Sequence, residues 1–359
     1  MRKKVALIYG GNSSEAEISI KSGMNVSANI NRNEYDVYEI LLRGGSWRVL
    51  NPNGGLVSEK VAVEYLKCVM ASEVAFNTGV GGAKIENIKS DIGLEVNKVD
   101  FSFENNGEKI NFDLAFIMIH GTPGENGLLQ GYLEMMMIPY NSCSSFVSSI
   151  TFDKHSCKRF LDFAGVNLAK DVFLHRGDSY DVNEIVKKVG LPMFVKPTNG
   201  GSSFGVTKVK RVEDLKAAID FVFSGYDAAI IEEFIKGREL TNGIYNKGNE
   251  IVRLPVTEII TEREFFDYEA KYLGESKEVC PAQISDELTL KIQELSEKLY
   301  KYLGCKGLVR MDYIAKGDDI YFLEINTVPG MTSMSLVPAQ VRVAGINMQE
   351  FFTTLIEGR

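Results

Sequence analysis

Apolar residues along the chain fall into short continuous runs that glycines and polar residues interrupt. Val5–Tyr9 is one such run, closed by two glycines, and Leu114–Ile119 is another, which leads into His120. Runs of this kind predict strands that are buried on both faces of a parallel sheet. Together with a candidate strand at Val37–Leu42 and a helix after the first strand, they predict a doubly wound α/β unit.

The secondary structure is less clearly predicted at the start of the first helix and in the region after the second strand. Ser14 and Glu17 have the spacing of a capping box, which predicts a helix start near Ser14 and assigns Glu17 to capping. Residues 44–112 are rich in Gly, Asn and Lys. They predict loops, short strands and an edge hairpin, and no chemistry is assigned to them.

The rest of the chain alternates between strand and helix patterns. Further strands are predicted at Met193–Lys196, Val206–Val209, Ala228–Glu232, Gly307–Ala315 and Ile320–Ile325. Further helices are predicted at Asp153–Gly165, Asp214–Phe223 and Asp286–Leu303. A long polar segment, Thr261–Glu278, precedes the last of these helices.

Length and composition narrow the class of protein. A chain of 359 residues predicts two or three domains. Lys and Arg number 40 against 48 Asp and Glu, and this net charge of -8 argues against nonspecific nucleic-acid binding. The five cysteines form no C-x-x-C pair, and no apolar run is long enough for a membrane span. We therefore expect a cytoplasmic protein with no membrane or nucleic-acid partner.

A lysine followed by a small-residue loop is the first chemical feature. Lys196 ends a predicted strand, and Pro-Thr-Asn-Gly-Gly-Ser-Ser-Phe-Gly follows it. Backbone N–H groups of such a loop can surround phosphate oxygens, while the lysine adds a positive charge. The spacing excludes a P-loop. A plain hairpin turn is the alternative.

Polar side chains on two neighbouring strands form the second feature. Alternation along a strand places Arg310 and Asp312 on one face, and Glu324 and Asn326 share a face of the next strand. Carboxylate and amide oxygens are hard ligands suited to Mg²⁺. The alternative is an ordinary cross-strand pair at the surface.

Two more segments carry possible binding groups. Gly330, in a Pro-Gly turn, could offer its N–H to an oxyanion, and Ser335 could receive a carboxylate. The segment from Glu232 to Glu239 could hold an adenosine, with backbone groups at the base and a carboxylate at the ribose. A turn entering a helix and an acidic linker are the respective alternatives.

Taken with Lys154, these features follow the order of the ATP-grasp superfamily, and within it the chain resembles the D-alanine–D-alanine ligase family along nearly its whole length. The motifs that carry the resemblance lie at residues 10–15, 120–131, 138–140, 267–272, 310–312 and 324–333. It implies an ATP-grasp fold, with an N-terminal doubly wound parallel α/β domain (residues 1–141), a small central domain (142–232) and a C-terminal domain (233–359). It also implies ATP-dependent joining of two D-alanine molecules for peptidoglycan, by a homodimer.

The same resemblance implies a role for individual residues. The implied catalytic residues are Glu15, Ser202, Tyr272, Arg310 and Gly330. The implied ATP-binding residues are Lys154, Lys196, Ser202, Ser203, Glu232, Phe234, Ile235, Glu239 and Lys271. D-alanine would contact Glu15, His120, Ser335 and Leu336. Two Mg²⁺ ions, or Mn²⁺ in their place, would bind Asp312, Glu324 and Asn326.

Lys271 and Tyr272 belong to the polar segment 261–278, which the resemblance implies is a lid over a water-sensitive acyl phosphate. Departures from the family pattern are Asn141–Cys143, Phe266 and Met334, and none removes a charge needed for phosphoryl transfer. We expect them to affect affinity rather than reaction type.

Three other functions stay open at this point: a D-alanyl-D-lactate ligase, another ATP-grasp carboxylate–amine ligase, and a nucleotide-binding protein without turnover. Tyr272 argues against the first, because the depsipeptide-forming variants usually lack this lid tyrosine. The intact set of Arg310, Asp312, Glu324 and Asn326 argues against the third.

Overall fold

The computed structural model describes residues 2–78, 93–201, 205–261 and 276–358. The first of three sheets has seven strands: β1 (Lys3–Gly10), β2 (Tyr35–Arg43), β3 (Ser46–Val49), β4 (Leu94–Asn97), β5 (Ser102–Asn105), β6 (Glu108–Asn111) and β7 (Leu114–Ile117). Their order is β6-β5-β4-β3-β2-β1-β7. β1 runs parallel to both β2 and β7, as the continuous apolar runs predict, and the other pairs are antiparallel.

Three helices belong to this part of the chain: α1 (Ala16–Asn29), α2 (Glu59–Thr78) and α3 (Leu128–Met135). The predicted capping box is wrong, because α1 begins at Ala16 with Glu15 at its N-cap and no side-chain cap. Ser13, rather than Ser14, accepts the N–H of Glu15, and its hydroxyl donates to the carbonyl of His120. The turn into α1 is therefore fixed by the β7 loop and not by a local cap.

Helix α2 was not predicted, although the expected short strands and antiparallel edge pairs are present. Ala62, Tyr65, Leu66 and Val69 are buried in it. These positions follow the i, i+3, i+4, i+7 spacing of an amphipathic helix. The Gly, Asn and Lys content of residues 44–112 as a whole hid this local periodicity.

Two helices, α4 (Ser145–Phe152) and α5 (Lys154–Leu161), lead from the first sheet to the second. Asp153 separates them and caps α5, since its carboxylate accepts the N–H of Ser156. Cys143, Val147 and Cys157 from this region are buried in the core of the third sheet.

The second sheet has four strands, and a short strand that precedes them in the sequence belongs to the third sheet. These are β8 (Asn167–Leu168), β9 (Asp171–His175), β10 (Met193–Pro197), β11 (Thr207–Val209) and β12 (Ala228–Glu233), with helices α6 (Val182–Val189) and α7 (Val212–Gly225). The order is β11-β10-β12-β9. Met193 and Val195 face the apolar core with the two helices, so Phe194 and Lys196 point to the opposite face.

The third sheet contains the predicted pair of polar strands. Its elements are β13 (Arg238–Lys247), β14 (Glu250–Thr261), β15 (Ser276–Val279), α8 (Asp286–Leu303), β16 (Leu308–Lys316) and β17 (Asp319–Asn326), followed by α9 (Leu336–Val343) and α10 (Met348–Glu357). The order is β15-β14-β13-β16-β17-β8. Helix α8 has the predicted bounds. Phe351 and Phe352 of α10 are fully buried in the core of the first sheet.

The α/β architecture is that of the predicted fold class, and the domain divisions after residues 141 and 232 stay predictions. No helix in the described parts of the chain has the length and apolar character needed to cross a lipid bilayer. The loops that follow β1, β7, β10 and β17 approach one another, and the candidate site lies where they meet.

Candidate active site

A cavity of about 710 Å³ is lined by residues from all of these loops. Nine of the predicted site residues line it: Glu15, His120, Lys154, Arg310, Glu324, Asn326, Gly330, Ser335 and Leu336. Six others are described but lie outside this lining: Lys196, Glu232, Phe234, Ile235, Glu239 and Asp312. Ser202, Ser203, Lys271 and Tyr272, and most of the predicted lid 261–278, lie outside the described residues.

The polar residues of β16 and β17 face each other across the two strands. Asp312 lies opposite Glu324, and Arg310 lies opposite Asn326. The register shifts after Asp312, so that one extra β17 residue, Leu323, forms a bulge beside the site. Bulges of this kind re-aim side chains next to active sites.

Asp312 is buried at the centre of this group. Arg310 donates to both of its carboxylate oxygens, from Nε at 2.9 Å and from Nη2 at 2.8 Å. The hydroxyl of Thr241 donates to the same carboxylate at 2.5 Å, and the amide nitrogen of Asn326 also donates to it, at 3.2 Å. Burial alone would lower the pKa of Arg310, but Asp312 outweighs it and raises that pKa further above its usual range.

His120 ties the loop after β7 to the loop after β17. Its Nδ1 lies 2.8 Å from the carbonyl oxygen of Val328, and its Nε2 lies 2.9 Å from the hydroxyl of Ser22. A carbonyl can only accept, so Nδ1 carries the proton and Nε2 accepts from Ser22. Ser22 in turn accepts the N–H of Met331 at 3.1 Å. This chain of bonds holds the backbone on both sides of Gly330.

The imidazole of His120 is neutral at physiological pH. It is 5% exposed, and burial lowers its pKa below the usual value, although Glu15 acts in the opposite direction. A neutral ring with its proton on Nδ1 satisfies both neighbours, since it donates to Val328 and accepts from Ser22.

Glu125, to which the sequence assigned no role, lies in the same cavity wall. Its Oε2 accepts the N–H of Gly121 at 2.7 Å and its Oε1 accepts the N–H of Val328 at 3.2 Å. Burial and the nearby Glu15 raise the pKa of Glu125 to about 8, against the opposing effect of its hydrogen bonds and Arg310. Glu125 therefore joins the same two loops as His120.

Glu15 also meets the small-residue loop after β10. A Cβ atom added at Gly201 would collide with Oε2 of Glu15, so only glycine permits this approach. The ammonium of Lys154 donates to the carbonyl of Gly200 at 2.9 Å, and its backbone N–H donates to the carbonyl of Thr198. The described start of the predicted phosphate loop, up to Gly201, is thus fastened to α5 and lies against the start of α1.

The N-terminus of α9 opens onto the cavity. Ser335 occupies its N-cap position, and its hydroxyl oxygen lies 3.0 Å from the backbone nitrogen of Thr332 and 2.8 Å from the Thr332 hydroxyl. Leu336 is the first helical residue. Backbone N–H groups at the start of a helix form a site for a carboxylate or phosphate.

Beside the cavity, buried ion pairs connect α5 to the second sheet. Glu232 accepts from Lys196 and, at 2.7 Å, from Lys158, and Lys158 also lies 2.9 Å from Asp171. Burial alone would raise the pKa of Glu232, but the two lysines outweigh it and lower that pKa to about 2. Lys158 stands one helical turn after Lys154, so both lie on the same face of α5, but nothing in the sequence indicates that Lys158 is buried.

The predicted adenine segment follows β12. The N–H of Phe234 donates to the carbonyl of Pro192 at 3.2 Å, and the Lys208 ammonium lies 4.0 Å from the centre of its ring. Phe194 meets Phe234 edge to face at 5.9 Å. Glu239 lies near the start of β13 and pairs with Ile259 of β14 and Ile314 of β16.

Family models match most of the chain. The model described as D-ala D-ala ligase N-terminus matches residues 4–143, and the model described as D-ala D-ala ligase C-terminus matches residues 160–357.

Curated relatives extend over the same length. A protein of Phocaeicola vulgatus named D-alanine–D-alanine ligase is 39% identical over 360 residues, which is 100% of both chains. One of the same name from Parabacteroides distasonis is 41% identical and covers 99% of this chain and 97% of its own. Among solved structures, the VanG D-Ala:D-Ser ligase of Enterococcus faecalis matches with a TM-score of 0.81 and 31% identity over 99% of both chains.

Proposed function

This chain belongs to the D-alanine–D-alanine ligase family, and from that premise we infer that it joins two D-alanine molecules to D-alanyl-D-alanine, using ATP. The product serves peptidoglycan synthesis. One observation carries the proposal: a single cavity is lined by an acidic residue at a helix start (Glu15), a guanidinium (Arg310) and the open N-terminus of α9. Those groups suit an ammonium, an oxyanion and a carboxylate respectively.

The first step makes a poor electrophile reactive. A carboxylate oxygen of the first D-alanine attacks the γ-phosphorus of ATP, the bond to the β-γ bridging oxygen breaks, and ADP leaves. Glu15 holds the substrate ammonium, while Lys154 and Lys196 bind phosphate oxygens. Phosphoryl transfer depends on positioning and charge neutralisation, so no protein nucleophile is required.

In the second step, the amine of the second D-alanine attacks the carbonyl carbon of the acyl phosphate. Negative charge develops on the carbonyl oxygen, where the guanidinium of Arg310 and the N–H of Gly330 stabilise it. The C–O bond to phosphate then breaks, inorganic phosphate leaves and the amine loses a proton. Ser335 and the N-terminus of α9 hold the carboxylate of this second D-alanine.

Two Mg²⁺ ions fit the donor set on β16 and β17. Asp312 and Glu324 would supply carboxylate oxygens from paired positions, and Asn326, whose amide nitrogen already donates to Asp312, would supply its oxygen. Hard oxygen ligands of this kind suit Mg²⁺ or Mn²⁺. The ions would neutralise charge on the β- and γ-phosphates.

Phosphate release from ATP tests the proposal. Purified protein with Mg²⁺ and D-alanine is expected to release one phosphate for each D-alanyl-D-alanine formed, and L-alanine is expected to give no release above background. Release that does not depend on D-alanine, or release without dipeptide, would contradict the proposed reaction.

The likeness to a D-Ala:D-Ser ligase makes D-serine a specific second candidate for the acceptor. The same assay with D-alanine plus D-serine or D-lactate, followed by mass spectrometry of the product, distinguishes the three acceptors. We expect D-alanyl-D-alanine to dominate when all three compete at equal concentration.

We also propose that the reaction takes place in the cytoplasm. All five cysteines are free thiols, and three of them, Cys143, Cys157 and Cys305, are buried. Reduced thiols are typical of that compartment.

We propose a homodimer as the functional assembly. Large apolar side chains are exposed around α3, α4 and the end of α5, among them Met135, Met137, Phe146 and Phe163. Light scattering after size-exclusion chromatography is expected to give twice the chain mass, and a single-chain mass at micromolar concentration would reject the dimer.

A further inference from the structure

Lys158 is the most deeply buried charged group beside the proposed ATP residues, among those that the structure describes. It is 4% exposed, and its Nζ contacts Oε1 of Glu232 at 2.7 Å, Oδ1 of Asp171 at 2.9 Å and the carbonyl oxygen of Ala169 at 2.7 Å. A buried ammonium is stable only with such partners. All three of its N–H donors are therefore used within the protein, and the lysine itself does not bind substrate.

The carboxylate of Glu232 is divided between two lysines. Lys158 contacts Oε1, and Lys196 contacts Oε2. Lys196 and Glu232 are diagonal neighbours on β10 and β12, since Lys196 pairs with Ile230 and Phe194 with Glu232. Lys158 reaches the same carboxylate from α5, one turn from Lys154.

We propose that Lys158 is a positioning residue for nucleotide binding: it neutralises Glu232, so that the ammonium of Lys196 can bind a phosphate of the nucleotide. Without Lys158, Lys196 would be the principal counter-ion of a buried carboxylate. A phosphate would then compete with that carboxylate for the same ammonium. The inference rests on the proposed function, because it takes Lys196 as a phosphate-binding residue.

Nucleotide affinity tests the inference, with Lys158→Met as the first variant. Methionine keeps the length of the side chain and removes its charge. Calorimetry with Mg²⁺ is expected to give a dissociation constant for ATP at least about tenfold higher, which is about 1.4 kcal/mol. Adenosine, measured by displacement of ADP, is expected to change less than about threefold. A role in folding alone would weaken ATP and adenosine equally, and that outcome overturns the proposal.

Arg159→Met is the matched control. Arg159 neighbours Lys158 and donates to the same Asp171 oxygen at 2.8 Å, but it is half-exposed and has Asp162 as a second partner at 3.1 Å. We expect its ATP affinity to remain within about threefold of the wild type. An equal loss in both variants would assign the effect to Asp171 and overturn the role of Lys158.

A paired variant separates affinity from folding. Lys158→Met with Asp171→Asn removes one buried positive and one buried negative charge together, so that neither is left alone. Glu232 still depends on Lys196 in this variant, and the loss of ATP affinity should persist. Unchanged ATP affinity in either folded variant overturns the proposal.

Lys196→Met distinguishes this inference from the proposed function. A loss of ATP affinity in Lys196→Met but not in Lys158→Met rejects only the positioning role. Unchanged ATP affinity in Lys196→Met rejects the assignment of the ATP site itself.

Discussion

Replacing Arg310 by alanine should lower turnover severely while leaving ATP binding intact. Its guanidinium lines the cavity and is oriented by two hydrogen bonds to Asp312, at 2.9 and 2.8 Å. Loss of one preorganised oxyanion donor raises a barrier by about 2.7–4 kcal/mol, which corresponds to about 10²–10³ in kcat. Lys154 and Lys196 are untouched, so the dissociation constant for ATP should change less than about threefold.

The chain offers a control with the same chemistry outside the site. Arg238 makes a similar two-bond contact with Glu258, at 2.7 and 2.6 Å, in the same sheet. Arg238→Ala therefore removes a comparable ion pair and should keep kcat within about twofold. Asp312 keeps its contacts with Thr241 and Asn326 in Arg310→Ala, which favours a folded variant.

Steady-state phosphate release, thermal unfolding and ATP calorimetry would be measured on both variants. The reasoning is refuted if folded Arg310→Ala keeps more than about a tenth of the wild-type kcat. It is also refuted if Arg238→Ala loses as much turnover as Arg310→Ala, because the effect would then follow from the sheet and not from the site.

Three more predictions concern residues that line the cavity. The pKa of Glu125 is raised to about 8 in the folded protein, so its contribution to stability is full below its ordinary value near 4.5 and is lost as pH rises through 8. Chemical denaturation from pH 5 to 9 should show this decline in the free energy of unfolding, and Glu125→Gln should flatten it. Gly201→Ala should raise the KM for D-alanine several-fold by displacing Glu15. Gly225→Ala is the control, because its added methyl group meets open space and should leave the kinetics unchanged. Equal KM values in the two variants would reject the contact between Gly201 and Glu15. Glu324→Gln should raise the Mg²⁺ concentration for half-maximal rate about tenfold or more, and an unshifted magnesium titration would remove it from the metal set.

Local periodicity was sufficient to predict most helices and strands, but not the helix within residues 44–112. Helix α8 has the predicted bounds, and in the structure the hydroxyl of Ser285 caps its start by accepting the N–H of Leu288. Residues 59–78 carry an apolar repeat, yet their surroundings of Gly, Asn and Lys led to a prediction of loops and strands. The start of α1 was misplaced for another reason, because its turn depends on a contact between Ser13 and His120, far apart in sequence.

The site was predictable where chemistry follows strand alternation. Asp312 and Glu324 face each other as the period of two indicates, although the bulge at Leu323 could not be inferred from that pattern. Lys158 and Glu125 were missed because their importance comes from partners brought close only by folding. Burial of a charge is a property of the tertiary structure, and neither composition nor spacing reports it.

Helix α10 has a consequence for how the protein is made. Phe351 and Phe352 complete the core beneath β7, where Phe352 meets Phe116 at 6.2 Å, and Glu357 bonds to Tyr35 of β2 at 2.8 Å. During translation the early strands leave the ribosome more than two hundred residues before this helix. The part of their apolar face that α10 covers therefore stays exposed until the end of synthesis, and exposed apolar surface of this kind is prone to aggregation.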